Sequence, residues 1–217
     1  MPIPFKLPRF YPILDTTFLS SREYPVLLAA GALIEAGAKI LQYRHKDAWT
    51  QAQFDEARQI NAMCNEAGVL FVLNDRADFA RLLHAALHVG QEDLPPVAAR
   101  KIVGDEVMGF STHSRPQLMR GNEEPVEYLS LGPIFATTSK QTPDPVVGVE
   151  GLARLRPLTK KPLCAIGGIT LSNVSDVLKA GADSIAVISS IVPEQFNRNE
   201  LKRRAEEWIA ALGPPGM

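Results

Sequence analysis

The sequence predicts an α/β fold, a single (β/α)8 TIM barrel, and three observations carry the prediction. Short runs rich in Val, Ile, Leu and aromatic residues alternate eight times with longer stretches whose apolar residues recur at three-to-four spacing among charges. Several of those runs are apolar at consecutive positions, as strands covered by helices on one side and filled on the other require. The length of 217 residues suits a barrel built as one domain, since such barrels run to ~200–250 residues. No Gly-x-Gly-x-x-Gly follows the first run, so an open dinucleotide-binding sheet loses its main support.

In chain order the strands are expected at residues 11–15, 39–44, 70–74, 86–89, 107–111, 128–131, 162–166 and 184–188. Helices are expected between them near 25–36, 50–67, 77–83, 95–101, 116–120, 151–156 and 171–180, with a last one near 194–212. Ser and Asn stand where caps belong, as in Thr170-Leu171-Ser172-Asn173, and Ala-Gly-Ala at 36–38 and 180–182 ends a helix just before a strand. The domain reading is one barrel over residues 1–217, opened by a short Pro-rich segment that could cover the barrel floor or a neighbouring subunit.

With 46% hydrophobic and 22% charged residues, the composition is that of a globular chain. The formal charge of −1 excludes a nucleic-acid surface spread over the whole molecule, so any anion site must be local. Cys64 and Cys164 have no metal-ligand spacing and read as buried thiols of a reducing compartment. The N-terminal segment has no continuous apolar core of a signal peptide, and the most apolar window, 25–34, is too short to span a bilayer. Cytoplasm is the expected compartment, with small-molecule partners, no nucleic acid and no membrane; composition does not decide whether the chain forms a homo-oligomer.

A barrel of this kind carries its active site at the C-terminal ends of its strands. Strand two ends in Gln42, Arg44 and Lys46, alternate residues and hence one side of an extended chain. Strand three ends in Asn74-Asp75, strand four runs on to Asp93, and strand five ends at Ser111. Strand six delivers Thr137, Thr138, Ser139 and Lys140, strand seven Gly167-Gly168, and strand eight Ile188-Ser189. Alone, Asn-Asp is an ordinary turn and Thr-Thr-Ser an ordinary helix start. Their shared placement at one mouth gives them weight.

Arg and Lys beside hydroxyls and free backbone amides suit phosphate oxygens. One phosphate is expected at Gly168, Ile188 and Ser189, the usual phosphate position of such barrels. Asp75 and Asp93 are hard oxygen ligands, and two carboxylates with substrate phosphates are the ordinary way to hold Mg2+. A second, metal-bound polyphosphate is then implied near Arg44, Lys46 and Lys140. His45 has the parity to face outward; His84 and His88 are read as flanking a strand start, away from the mouth; Trp49 and Trp208 are assigned to packing. His113 is left between a local hydrogen bond and a ligand contact.

On these residues the chain resembles the thiamine phosphate synthase family from about Tyr11 to Ile191. The matching motifs are Gln42-Tyr43-Arg44-His45-Lys46, Asn74-Asp75, Gly90-Gln91-Glu92-Asp93-Leu94-Pro95 and Gly109-Phe110-Ser111, followed by GPIFATTSK at 132–140, IGGI at 166–169 and VISSI at 187–191. The resemblance implies transfer of a pyrimidinylmethyl group from its diphosphate to a thiazole phosphate, with Mg2+ as cofactor. It assigns the pyrimidine diphosphate to the segment Gln42, Tyr43, Arg44, His45 and Lys46 with Asn74, Ser111 and Lys140. It assigns the thiazole phosphate to Thr137, Thr138, Ser139, Gly168, Ile188 and Ser189, and the metal to Asp75 and Asp93. Lys140, Arg44 and Ser111 are expected at the reacting centre, and the loop 138–145 is the candidate lid. Ser139 stands where the family usually has Thr, and Tyr43 replaces a common Leu at a position expected to point away from the mouth. A thiazole tautomerase paralogue and a non-catalytic phosphate-binding barrel are the alternative readings; keeping Arg44, Lys46, Asp75, Asp93 and Lys140 together disfavours the first.

Overall fold

The computed structural model describes residues 5–137 and 144–213. Eight parallel strands, β1 Phe10–Asp15, β2 Ile40–Arg44, β3 Leu70–Asn74, β4 Ala86–Val89, β5 Met108–Thr112, β6 Tyr128–Leu131, β7 Leu163–Ile166 and β8 Ser184–Val187, close in sequence order into a barrel. The helices around it are α1 Thr16–Ser20, α2 Val26–Glu35, α3 Gln51–Ala67, α4 Ala77–Leu83, α5 Pro96–Val103, α6 Arg115–Glu123, α7 Gly148–Leu155, α8 Val174–Lys179 and α9 Arg198–Leu212. Among the described residues, no helix is long and apolar enough to cross a membrane.

Every expected strand appears, within a residue or so at its ends. Helix starts shift more. Thr50 caps α3 through a capping box with Gln53, as its Thr-x-x-Gln spacing allows. Asn173 does not cap α8; its carbonyl accepts Thr170 N–H at 2.9 Å and its amide donates to Gly168 O at 3.2 Å, strapping the turn after β7. The short α1 is an addition: Asp15, the last residue of β1, caps it by accepting Phe18 N–H at 2.9 Å. Both Ala-Gly-Ala stops hold, with Gly37 and Gly181 at φ near 100°.

The core has two parts, divided by the sheet. The larger lies between sheet and helices, where Leu41, Leu73, Leu87, Leu129 and Ile185 meet residues such as Ile60, Leu118 and Trp208. The smaller fills the barrel, with Ile13, Ile40, Val72, Ala86 and Ala186 around Tyr11 and Tyr128. Leu7 and Phe5 close its floor, Phe5 lying 6.2 Å from the Tyr128 ring, and Ser184 ties the segment by donating to Pro8 O at 2.6 Å. The N-terminal segment therefore covers the chain's own floor.

Gly109 shows why one motif glycine is there. It pairs in register with His88 on one side and Tyr128 on the other. A Cβ would stand 2.1 Å from Tyr128 Cζ and 2.5 Å from His88 Nδ1. Gly109→Ala is expected to destabilise the barrel by about 1–3 kcal/mol, because neither buried ring has room to retreat. Urea unfolding checks this, and an unchanged midpoint would mean that the interior yields freely.

Candidate active site

The mouth at the C-terminal strand ends is lined by Gln42, Arg44, Asn74, His88, Ser111, His113, Ser130, Thr137, Gly168, Ile188 and Ser189, among others. In a closed barrel β2 to β4 stand across from β6 to β8. Among the described residues the first sector carries Arg44, Lys46, Asp75 and Asp93, and the second is mostly backbone, glycine and hydroxyl groups with the Asp144 carboxylate beside them.

On the charged side, register places Asp15 beside Arg44, and the two form an ion pair with Asp15 only 5% exposed. Lys46 reaches Asp75 Oδ2 at 2.5 Å and Asp93 Oδ1 at 3.9 Å. Asp75 holds a left-handed backbone, φ 67°, tolerated by Asp at modest cost, with its N–H on His88 O at 2.8 Å. That turn aims its carboxyl at Asp93, which Gly90 N–H pins at 2.7 Å. Burial, with a hydrogen bond donated to Asp93, pushes the Asp75 carboxyl up to about 6, although Lys46 opposes. Burial also pulls Asp93 upward, but the bonds from Asp75 and Gly90 outweigh it and hold Asp93 low. Two carboxyls that face one another are costly to ionise together, so the more buried of the two keeps its proton longer.

These residues fit a magnesium ion. Among the described residues Asp75 Oδ1 is buried without a hydrogen-bond partner, an acceptor oxygen that a cation would satisfy. Among the described residues no group of three His, Cys, Asp or Glu gathers at one point. Two carboxylates that leave the remaining positions to water and phosphate are the usual arrangement for Mg2+.

Across the mouth, two loops are zipped together. Ile134 N–H donates to Ile166 O at 2.9 Å and Phe135 N–H to Gly167 O at 3.0 Å, extending the pairing of β6 and β7 beyond their ends. Gly167 and Gly168 have φ of 99° and 64°, and a Cβ on either would stand under 3 Å from 133–136. Only glycine fits between the loops and leaves its amides open to a ligand. Thr138, Ser139 and Lys140 lie outside the described residues, as does most of the 138–145 loop.

Tyr43 and His45, carried by the motif, do not line the mouth, as their parity predicts and against their assignment to the diphosphate with the rest of the motif. Tyr43 is fully buried behind the sheet, donating to Glu56 at 2.8 Å with its ring edge-on to Trp49. His45 Nδ1 sits 2.7 Å from Thr16 Oγ1 and its ring abuts Trp49. Strand parity is the reason: alternate residues turn inward, so Gln42 and Arg44 enter and their neighbours leave. His88 is the correction in the other direction. It is the third residue of four-residue β4, inside the barrel and under the mouth, with Nε2 2.8 Å from Ser111 Oγ and Nδ1 3.1 Å from Tyr128 Oη. Burial pushes its imidazole down to about 4, against the pull of Asp93, so it is neutral. The signal was in Ala86-Leu87-His88-Val89, where the large apolar residues take the helix side and leave His88 inward. Asp15 was also missed, because it reads as the end of an apolar run. His113 lines the mouth with Nδ1 2.7 Å from Gly132 O and 3.5 Å from the Asp144 carboxylate. Cys64 and Cys164 are buried and unpaired.

The sequence model of the family described as thiamine monophosphate synthase matches residues 10–191. A thiamine-phosphate synthase of Koribacter versatilis is 42% identical over 95% of this chain and 97% of its own. That of Chloroflexus aurantiacus is 37% identical over 85% of each. A solved thiamine phosphate pyrophosphorylase from Pyrococcus furiosus superposes with a TM-score of 0.77 at 29% identity, covering 93% of this chain and 96% of that one.

Proposed function

The chain belongs to the thiamine monophosphate synthase family, and from that premise we propose how its mouth divides a transfer reaction between two phosphorylated substrates. The aminopyrimidine's methylene carbon loses its bond to the diphosphate oxygen and gains one to the thiazole ring nitrogen. Pyrophosphate leaves and thiamine phosphate is the product. The observation that supports this division is the asymmetry of the mouth among the described residues, with Arg44, Lys46, Asp75 and Asp93 gathered on one side and, on the other, the paired loops beside Gly168, where Asp144 is the charged lining residue.

Arg44 and Lys46 hold the diphosphate on the charged side, Lys140 of the segment after β6 is assigned to the same diphosphate, and Gln42, Asn74 and Ser111 orient the pyrimidine. Asp75 and Asp93 hold Mg2+, which when bound supplies positive charge to the diphosphate oxygens. On the other side, Thr137, Thr138, Ser139, Gly168, Ile188 and Ser189 take the thiazole phosphate. Aminopyrimidines spread positive charge from the methylene into the ring, so a loose transition state is stabilised by cations placed at the leaving oxygens. The thiazole nitrogen already has its lone pair, and no protein nucleophile or general base is required. Oriented binding of both substrates supplies the rest.

The test follows pyrophosphate in a reaction containing pyrimidine diphosphate, thiazole phosphate and Mg2+. Release is expected only when all three are present. Tight binding of thiazole phosphate without release under any condition would overturn the proposal.

A further inference from the structure

Beneath the mouth one chain of hydrogen bonds crosses the barrel interior. Gln42 Nε2 donates to Tyr11 Oη at 2.8 Å, and the hydroxyls of Tyr11 and Tyr128 lie 2.8 Å apart. Tyr128 Oη is 3.1 Å from His88 Nδ1, and His88 Nε2 is 2.8 Å from Ser111 Oγ. Ser130 Oγ donates to the same Ser111 oxygen at 3.2 Å. Both ends of the chain, Gln42 and Ser111, line the mouth.

Each hydroxyl has a single hydrogen, so the chain is directional. Gln42 N–H fills one acceptor position of Tyr11, and among the described residues Tyr128 Oη is the acceptor in reach of the Tyr11 hydrogen, so we take Tyr11 as the donor of that pair. Tyr128 gives its own hydrogen to His88 Nδ1, which places the imidazole proton on Nε2 and turns it toward Ser111. With His88 and Ser130 both donating, the lone pairs of Ser111 Oγ are occupied, and its hydrogen is left for the mouth. Reversing the Gln42 amide would reverse every bond: His88 would carry its proton on Nδ1, and Ser111 would spend its hydrogen on the ring.

We propose that His88 is a positioning residue, held as the Nε2–H tautomer by Tyr128 so that Ser111 meets the substrate as a hydrogen-bond donor. The ligand atom at that point must then be an acceptor, such as a pyrimidine ring nitrogen; this part rests on the pyrimidine diphosphate reading of the mouth. His88 acts through Ser111 and does not touch the reacting atoms.

Two measurements test the proposal, one of them independent of any substrate. Imidazole 15N correlation spectra of the wild-type chain at about pH 7, inside the range where neutral His predominates, are expected to show His88 protonated on Nε2. A proton on Nδ1 would overturn the assignment even if the enzyme turns over as proposed. Conversely, absent turnover with the Nε2–H form present would remove the substrate reading and leave the chain polarity standing. In kinetics, His88→Gln retains an N–H within reach of Ser111, whereas His88→Asn reaches Tyr128 only. His88→Asn is expected to lower kcat/KM for pyrimidine diphosphate about tenfold to a hundredfold, as the loss of one oriented hydrogen bond does, while His88→Gln recovers most of it at a matched thermal midpoint. In a Ser111→Ala background His88→Asn should cost less than about twofold more, because coupled residues are not additive. Equal losses in Gln and Asn, or full additivity with Ser111→Ala, would overturn the proposal. If His88→Asn does not fold, the wild-type tautomer decides it.

Discussion

Arg44→Met is expected to lower kcat/KM about a hundredfold to a thousandfold, the scale of removing one charged donor from a developing anion, and to destabilise the chain at the same time. The stability loss comes from Asp15, which is almost wholly buried and ion-paired with Arg44. Stranding one partner of such a pair costs about 3 kcal/mol, or a thermal midpoint lower by roughly 6–12 °C for a chain of this size. The Phe18 N–H that Asp15 also accepts keeps the loss near the lower end of that range. Asp15→Asn separates the two effects: it keeps a carbonyl for the helix cap and leaves the guanidinium in place, so turnover should fall far less than in Arg44→Met. Thiazole phosphate affinity, measured by calorimetry, should stay within about threefold in both, since the site proposed for it is across the barrel. Parallel loss of affinity for both substrates would sink the division of the mouth.

Asp75→Asn should abolish Mg2+-dependent turnover, with kcat down by about three orders of magnitude, and leave thiazole phosphate binding nearly intact. The exchange is isosteric but replaces the carboxylate proposed to hold the metal, one of whose oxygens has no hydrogen-bond partner among the described residues, by a neutral amide. The pH dependence has a definite sign. Burial and Asp93 hold the Asp75 proton up to about pH 6, and a protonated carboxyl is a poor magnesium ligand. Mg2+ affinity should therefore tighten as pH rises through about 6, with proton release on binding below that value. Calorimetry in two buffers of different ionisation enthalpy reads the proton directly. Affinity that is flat from pH 5 to 7, in units of about one, would show that Asp75 binds no metal.

The barrel was legible in the sequence because alternation of apolar runs with helical periodicity is a local property repeated eight times. Strand parity was legible too, and it placed Gln42 and Arg44 on one side and Tyr43 on the other. His88 shows where that reading failed. The alternation in β4 separates it from Leu87 and Val89, but its distance from the mouth depends on how far a four-residue strand rises beside its neighbours. Register between strands is set by closure of the sheet, which no single segment contains.

The sequence by itself determined the fold, the end of the barrel that carries the chemistry and the side chains offered there, since strand boundaries and alternation follow from each segment's own residues. Only the tertiary structure decided that Asp75, Asp93 and Lys46 share one point, that Asp15 pairs with Arg44, that the N-terminal segment seals the floor, and that His88 links Tyr128 to Ser111. Those contacts join residues from different strands, and their distances are fixed by the closed sheet and its packing, not by local preference.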